Sequence, residues 1–270
     1  MAVAESHSHW HGDYFIHRSE RGFLLFDAGD VGPDHLPAHA HSDLLGFEAS
    51  AFGKRLFVDS GVFAYQGPRR EEFRKSAAHN VLTVDWVELA DVWGSFRVGR
   101  RGHAISRQSG RVAGVHWTMA EHDAYRRMDV RVQRWWLIAE DGKVWVSVHV
   151  VLGRGSRLLT ERLHLHPEID WTQNGRSITL KTLDGDARWV PAAPTDFRTE
   201  TTAYSERFHE EQPKTTFVME SQTELPAVSA WALTLGGRDL EASARIEDGR
   251  LIARWILDGA ERRFERGLDA

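Results

Sequence analysis

The sequence predicts an all-β fold, a large antiparallel β-sandwich, on three observations. Short runs rich in Val, Ile, Leu, Phe and Trp recur along the chain, many of them alternating apolar with polar residues. Turn sequences with Gly, Asn or Asp, such as FGKR, EDGK and TQNG, separate these runs. A single stretch, PRREEFRKSAA at 68–78, has the pattern of a short helix.

The predicted strands follow one another at short intervals from the N-terminus. In order they are DYFIHR, GFLLFDA, LLGFEASAF, RLFVD, NVLTVD, VAGVHWTMA, VRVQRWWLI, KVWVSVHVV, SRLLTERLHLH, TTFVME, SAWALTL and RLIARWI. Tight turns make most neighbouring strands antiparallel, and we expect the Trp-rich runs to pack in the core. The stretch from Val190 to Lys214 is poor in core-forming residues, so we expect a long excursion over the sandwich edge there.

Length and composition limit the class of protein. A chain of 270 residues without linkers or repeats predicts a single domain over residues 1–270, and the absence of cysteine excludes disulfides. The net charge of −5 and the scattered basic residues argue against a nucleic-acid partner, while local arginine clusters suit an acidic ligand. No apolar run has membrane length and the N-terminus lacks the signal-peptide pattern, so we predict neither feature in this sequence.

The stretch HLPAHAHSDLLGFEASAFGKRLFVDSG, residues 35–61, holds the first candidate site residues. In a strand, His39 and His41 would share one face because residues i and i+2 do. Asp43 follows two residues later, and Asp59 ends a run that we expect to form a hairpin with the run before it. Two imidazoles and a carboxylate are a common ligand set for zinc, and Asp59 is the better placed acid. Spacing alone leaves open a metal site, half of a catalytic site or a solvated loop.

A cupin is one alternative fold, because its two histidines and one carboxylate hold iron or manganese for oxygen chemistry. The cupin motif places a glutamate shortly after the HxH pair. Glu48 lies further along the chain, on a strand whose alternation does not favour it as a ligand. The spacing therefore argues against a cupin.

The run PAHAHSDLLGFEASAFGKRLFVDSGVFAYQGPRREEFRKSAAHNVLTVD, residues 37–85, resembles the signature block of the heparinase II/III family of polysaccharide lyases. The resemblance continues through GDYFIHRSERGFLLFDAGDVG before the block and VWGSFRVGRR, AEHDAYRRM, HLHPE and YSERFHE after it, and so spans nearly the whole chain. It implies a β-sandwich of the heparinase II/III C-terminal type, which in the family follows an (α/α) toroid. It also implies β-elimination of uronate-containing polysaccharides, such as a glycosaminoglycan, alginate or an exopolysaccharide.

Residue by residue, the resemblance makes His39 the catalytic histidine. It makes His41 and Asp59 ligands of a divalent metal, zinc or alternatively calcium. The third ligand is expected to be a later histidine, His122 in AEHDAY or alternatively His103 in RRGHAIS. The family pattern therefore implies one catalytic and three metal-binding side chains.

Further residues of the block are expected to line the substrate cleft. Tyr65, Arg74, His79 and Asn80 are the substrate-binding candidates, because arginine binds carboxylates and a neutral amide or imidazole suits sugar hydroxyls. For Asn80 the alternative is a side chain that bonds to backbone groups of a turn. Arg70 fits the cleft or a solvated helix surface equally well.

The resemblance leaves two hypotheses for the whole chain. In the family the principal tyrosine and a carboxylate-neutralising residue come from the toroid, and no helical segment of this sequence supplies them. We therefore expect a lyase domain that binds metal and acidic polysaccharide and is incomplete without a separate toroid. The alternative is a non-catalytic carbohydrate-binding or structural β-domain that the metal stabilises. Members of the family are periplasmic or secreted, although this N-terminus lacks a signal-peptide pattern.

Overall fold

The computed structural model describes residues 6–268, and most of their regular structure is antiparallel β-strand. The predicted all-β class is confirmed. The single-domain prediction and the signal-peptide prediction also cover residues 1–5 and 269–270, which lie outside the described residues. No helix within residues 6–268 is long and apolar enough to cross a membrane.

An eight-stranded sheet forms the central layer. In spatial order its strands are β14 (Trp171–Asn174), β15 (Ser177–Lys181), β16 (Asp186–Pro191), β19 (Ala227–Leu235), β12 (Val144–Leu152), β11 (Arg131–Ala139), β10 (Val115–His122) and β9 (Ala104–Val112). β11 and β12 are buried along almost their whole length. A strand covered on both faces is apolar throughout rather than alternating, which explains the runs WWLIA and VWVSV.

Two smaller sheets pack against the central sheet through one apolar cluster. The first contains β1 (His7–His11), β2 (Tyr14–Arg18), β3 (Gly22–Asp27), β4 (Phe47–Ala51) and β5 (Lys54–Phe57). The second, in spatial order, contains β17 (Phe197–Tyr204), β18 (Gln212–Glu224), β13 (Ser156–His164) and β6 (Leu82–Val84). In the shared cluster, Trp136 packs edge to face on Phe47 and on Trp231. These contacts fix the layer that carries the candidate site.

A second apolar cluster joins the central sheet to a three-stranded sheet of β20 (Leu240–Glu247), β21 (Arg250–Leu257) and β22 (Ala260–Gly267). The remaining elements are a hairpin of β7 (Ala90–Trp93) and β8 (Arg97–Arg101), helix α1 (Pro68–Arg74), and a 3₁₀ turn at Ser76–Ala78. The short helix predicted within 68–78 is thus confirmed, with Pro68 in its first turn. This helix lies next to the candidate site.

The stretch from Val190 to Lys214 is not the long excursion that the sequence predicts. Within it β17 pairs with β18 along its whole length, and only residues 205–211 connect the two strands. The prediction is wrong because β17 is an edge strand of its sheet. An edge strand is partly exposed to solvent, so it can carry many polar residues. β17 contains several Thr and Glu residues, and its sequence therefore lacks the apolar alternation by which strands are recognised.

A buried ion pair joins the sheets to the segments that carry the candidate site. Arg134 on β11 and Glu161 on β13 are both fully buried, and Nη2 lies 3.6 Å from Oε1. The guanidinium also donates to the backbone carbonyls of Leu45, at 2.9 Å, and Asn80, at 2.7 Å. Burial lowers the pKa of Arg134 to about 10, and the Glu161 carboxylate opposes that shift. Arg134 therefore anchors the segments before β4 and before β6.

We expect Arg134→Met to lower the free energy of unfolding by about 3–5 kcal/mol, because Glu161 would stay buried without its countercharge. Urea denaturation measures the change. Arg131→Met is the control on the same strand, since the Arg131 side chain is 52% exposed and pairs with Glu121. Its cost should stay under about 1 kcal/mol. Equal losses in the two variants would contradict the anchoring role of Arg134.

Candidate functional site

The HxH pair lies in a loop and not in the predicted strand. Residues 28–46 connect β3 to β4, and His39 and His41 both fall within this connection. A turn from Pro37 to Ala40, which includes His39, interrupts the extended backbone, with the Ala40 amide donating to the Pro37 carbonyl at 2.9 Å. The strand prediction is wrong because the proline-initiated turn overrides the alternating pattern. In this loop the two histidines do not have to share one face.

Arg74 fastens this loop to the rest of the molecule. Its fully buried guanidinium donates through Nε to the Ala40 carbonyl at 2.9 Å. Its Nη atoms donate at 3.3 Å to the carbonyls of Gly94, Ser95 and Arg97, around the β7–β8 turn. Arg74 is predicted to bind substrate; in the structure its guanidinium is buried and engaged by four carbonyls, and substrate binding by Arg74 stays a prediction. Its role is to hold the loop.

His39 lies at the surface among exposed aromatic rings. Its ring is 5.0 Å from that of Tyr65 and 5.8 Å from that of Phe96, both in edge-to-face contact. Tyr65 also packs on Phe208 at 4.8 Å, and Tyr65, Phe96 and Phe208 are all exposed. We call His39, Tyr65, Phe96 and Phe208 the aromatic patch. The structure thus brings together the predicted catalytic histidine and the predicted substrate-binding tyrosine.

His41 belongs to a different group of side chains. Its ring is 5.2 Å from that of His79, and the ligand atoms of His41, Asp43 and His79 lie within 4.8 Å of one another. Asp59 adjoins this group, with Oδ2 2.5 Å from His79 Nδ1. Its other oxygen, Oδ1, accepts from the Gly61 amide at 2.8 Å. We call His41, Asp43, Asp59 and His79 the histidine–aspartate cluster.

His79 has the surroundings of a metal-binding histidine. Nδ1 meets Asp59, while Nε2 is buried and has no hydrogen-bond partner within residues 6–268. A carboxylate on one imidazole nitrogen fixes the tautomer and leaves the other nitrogen free as a ligand. His79 is predicted to bind substrate, whereas the structure buries it beside His41 and makes it a metal-ligand candidate. Asp43 is the acid grouped with both histidines, and a direct Asp59–metal bond stays a prediction.

Burial and neighbouring charges set the protonation of the cluster. Burial lowers the pKa of His41 to about 3 and raises that of Asp43. Burial also disfavours charge on His79, but the Asp59 carboxylate outweighs it and raises the His79 pKa. Burial would raise the pKa of Asp59, yet His79 holds it well below its usual range. A cavity of about 230 Å³ borders the cluster, and the carboxylates that line it are Asp27, Asp43, Glu48 and Asp59. This environment favours a cation.

Asn80 bonds to the backbone, the second of its two predicted roles. Nδ2 donates to the carbonyls of Phe47, at 2.9 Å, and Val58, at 3.1 Å. Oδ1 accepts from the His164 amide at 2.7 Å. The side chain is buried, and these three bonds join β4, the end of β5 and β13. These bonds agree with the alternative role, and substrate binding by Asn80 stays a prediction.

Neither predicted third ligand belongs to the three-residue group that the structure forms around His41. His122 is buried on β10, its Nδ1 accepts from the Ala124 amide at 3.2 Å, and burial lowers its pKa to about 3. His103 lies near Asp30, with Nδ1 3.6 Å from Oδ1. Within residues 6–268, His79 takes the place predicted for a later histidine. The AAHN block marks His79 in the sequence, but for a different role.

Two buried cations lie near the cluster, and the sequence analysis misses Lys214 and leaves the place of Arg70 open. Lys214 is buried, with Nζ 2.5 Å from Ser60 Oγ, and burial lowers its pKa to about 7. Arg70 is fully buried, with Nη1 3.1 Å from His41 Nε2. The polar surroundings of Lys214 in EEQPKTT give no signal of burial. The helix pattern around Arg70 fits a solvated surface as well as a cleft.

Comparison with known proteins agrees with the fold. The family model "Heparinase II/III-like, C-terminal" matches residues 2–249. A heparan sulfate lyase, HepC from Pedobacter heparinus, is similar at a TM-score of 0.75 and 16% identity, covering 98% of this chain and 43% of that one. A heparinase III structure is similar at a TM-score of 0.74 and 12% identity, covering 94% and 41%. The chain thus spans about two-fifths of the length of these structures. No curated protein matches the sequence significantly.

We expect His79→Gln to abolish zinc binding and His122→Gln to leave it intact, because only His79 offers a free nitrogen beside His41. Asp59→Asn should lower the affinity about 10–100-fold, as expected for a carboxylate that orients a ligand. Competition with a chromophoric chelator, on protein stripped of metal, measures the affinities, and circular dichroism shows whether each variant is folded. Zinc binding lost in folded His122→Gln and kept in His79→Gln would refute this assignment.

Proposed function

The chain belongs to the heparinase II/III-like C-terminal family, and on this basis we propose that it is the β-sandwich part of a polysaccharide lyase. The proposed reaction is β-elimination on a uronate-containing polysaccharide, such as a glycosaminoglycan, alginate or an exopolysaccharide. One observation carries the proposal. An exposed imidazole, His39, contacts an exposed phenol, Tyr65, and lies two residues from His41 of the half-buried histidine–aspartate cluster.

This arrangement suits the chemistry of β-elimination. The reaction needs a base for the proton α to the uronate carboxylate and an acid for the leaving glycosidic oxygen, and imidazole and phenol groups perform such transfers. His39 exchanges the proton in this proposal, and Tyr65 contacts the sugar beside it. The α proton is weakly acidic until the carboxylate is neutralised, so donors must also face that group.

We propose further that the histidine–aspartate cluster holds a divalent metal, zinc in the first instance. His41, His79 and Asp43 would be the ligands, and Asp59 would orient His79, because two imidazoles and a carboxylate suit zinc. The additional carboxylates around the adjoining cavity make calcium the alternative. When bound, the metal joins the loop of His41 to the segment of His79 and so fixes the position of His39.

Full activity, in this proposal, also needs an (α/α) toroid. Similar structures are much longer than this chain, which covers 41–43% of their length. Within residues 6–268 there is one α-helix, of seven residues. A polysaccharide held between the two domains would meet the aromatic patch, and the toroid would supply further donors to the uronate carboxylate. The partners proposed are thus an acidic polysaccharide and a toroid domain.

A second candidate function follows from the same patch. Tyr65, Phe96 and Phe208 are each between 43% and 45% exposed, and exposed aromatic rings pack well on the apolar faces of sugars. A non-catalytic carbohydrate-binding domain would need these rings but no proton transfer by His39. In that case the metal would serve stability alone.

We expect the protein to release unsaturated uronate from a polyuronate or glycosaminoglycan slowly when assayed alone and faster when a toroid domain is added in trans. His39→Ala should lower the rate about 10²–10⁴-fold, because it removes a general acid–base group. The matched control is His35→Ala, an exposed histidine of the same loop, which should keep the rate. Ultraviolet absorbance of the product measures activity. Polysaccharide binding without product in either format would favour the binding-domain candidate.

A chelator should destabilise the protein by removing the metal from the histidine–aspartate cluster. A metal present at a thousand times its Kd stabilises the fold by about 4 kcal/mol, which corresponds to a Tm change on the order of 10 °C for a chain of this size. Differential scanning calorimetry with and without chelator should show this fall in wild type but not in His41→Ala. A wild-type Tm that ignores the chelator would count against a stabilising metal.

A further inference from the structure

Arg70 is a buried cation without a countercharge. Its side chain is fully buried, and within residues 6–268 none of its hydrogen bonds is to a carboxylate. Nε donates to the Ser95 carbonyl at 3.3 Å, Nη1 contacts His41 Nε2 at 3.1 Å, and Nη2 has no partner in this part of the chain. Arg74 lies near enough to repel it. An uncompensated buried charge is costly, so a fold that keeps one requires a reason.

The contact between Arg70 and His41 determines the tautomer of His41. A guanidinium only donates hydrogen bonds, so Nε2 must accept, and a neutral imidazole has a single acceptor nitrogen. Coordination through Nε2 would need the lone pair that Arg70 occupies. Coordination through Nδ1 would move the proton to Nε2, which could then no longer accept from Arg70. The Arg70–His41 bond and a metal on neutral His41 therefore exclude each other.

Metal binding would consequently release the Arg70 guanidinium. Nη1 would join Nη2 as a donor without an acceptor, and an oxyanion is the partner that a guanidinium binds best, through two parallel bonds. The Arg70 guanidinium stacks on the ring of Tyr65, with its carbon 5.4 Å from the ring centre. Tyr65 is 45% exposed and packs on His39, so its ring is the cover that a ligand would displace.

We infer that Arg70 couples the metal to the acidic substrate: it occupies His41 in the metal-free protein, and after metal binding it receives a carboxylate or sulfate of the polysaccharide. The inference rests on the proposed metal site. By linkage, the oxyanion raises metal affinity by the same factor by which the metal raises oxyanion affinity. The Arg70 guanidinium, which competes with the metal for His41, would thus make the metal-bound protein selective for acidic sugars.

The test measures zinc affinity by chelator competition on metal-free wild type, Arg70→Met and Arg69→Met. Arg69 is the matched control, one residue earlier on α1 and paired with Glu72 and Glu211 at the surface. Arg70→Met should bind zinc about 10–100-fold more tightly than wild type, since the competing charged donor is gone. Arg69→Met should bind zinc as wild type does.

The second arm repeats the titrations with saturating oligosaccharide. A sulfated heparan oligosaccharide and an unsulfated oligouronate separate sulfate from carboxylate as the oxyanion, and oligosaccharide without protein gives the baseline. Wild-type zinc affinity should rise about five- to a hundredfold with at least one ligand, and that of Arg70→Met should not change. The wild-type titrations of this arm do not depend on whether Arg70→Met folds.

The outcomes separate the inference from its premise. Zinc affinity equal in wild type and Arg70→Met, or unaffected by both oligosaccharides in wild type, would overturn the coupling while leaving the metal site intact. If neither wild type nor Arg70→Met binds zinc, the proposed metal site itself fails and the coupling fails with it. Zinc binding that appears only in Arg70→Met would support the competition directly.

Discussion

The geometry of the site depends on one buried guanidinium, that of Arg134. It neutralises Glu161 between the sheets and donates to the carbonyls of Leu45 and Asn80. Leu45 lies near the end of the loop of the HxH pair, and Asn80 follows His79, so a single side chain holds both segments that carry the histidine–aspartate cluster. The Asn80 side chain extends this frame to β4 and β13. Any ligand of the proposed site would thus meet a preformed scaffold, because the ordering cost is met on folding.

The region around the histidine–aspartate cluster contains more buried charged side chains than the apolar core of the sandwich. Arg70, Arg74 and Lys214 are buried near the cluster, and only Arg74 is surrounded by carbonyl acceptors. Several carboxylates line the adjoining cavity, and the Asp59 carboxylate raises the pKa of His79 despite its burial. Such separated charges cost stability unless a ligand completes them. The pattern fits a site that binds both a cation and an anion.

The sequence predicts the fold well because strand patterns and turns are local. Hairpin β4–β5, helix α1 and the buried Trp-rich strands all follow from alternation, Gly-containing turns or a proline. The site is harder, because its members come together only in three dimensions. His79 and Asn80 are adjacent in the chain, yet one faces the cluster and the other bonds to three backbone groups. No local pattern distinguishes them, and the same holds for buried Lys214 in its polar segment.

The loop conformation of the HxH pair explains how neighbouring histidines serve different tasks. In a strand, both imidazoles would share one face and one environment. In the loop, the Pro37 turn and the Arg74 clamp place His39 among exposed rings and His41 beside His79. Burial then keeps His41 neutral and available as a ligand, while His39 stays accessible to a polysaccharide. Two different environments for histidines two residues apart therefore require the turn, and a regular strand at this place would give neither the separation nor the two environments.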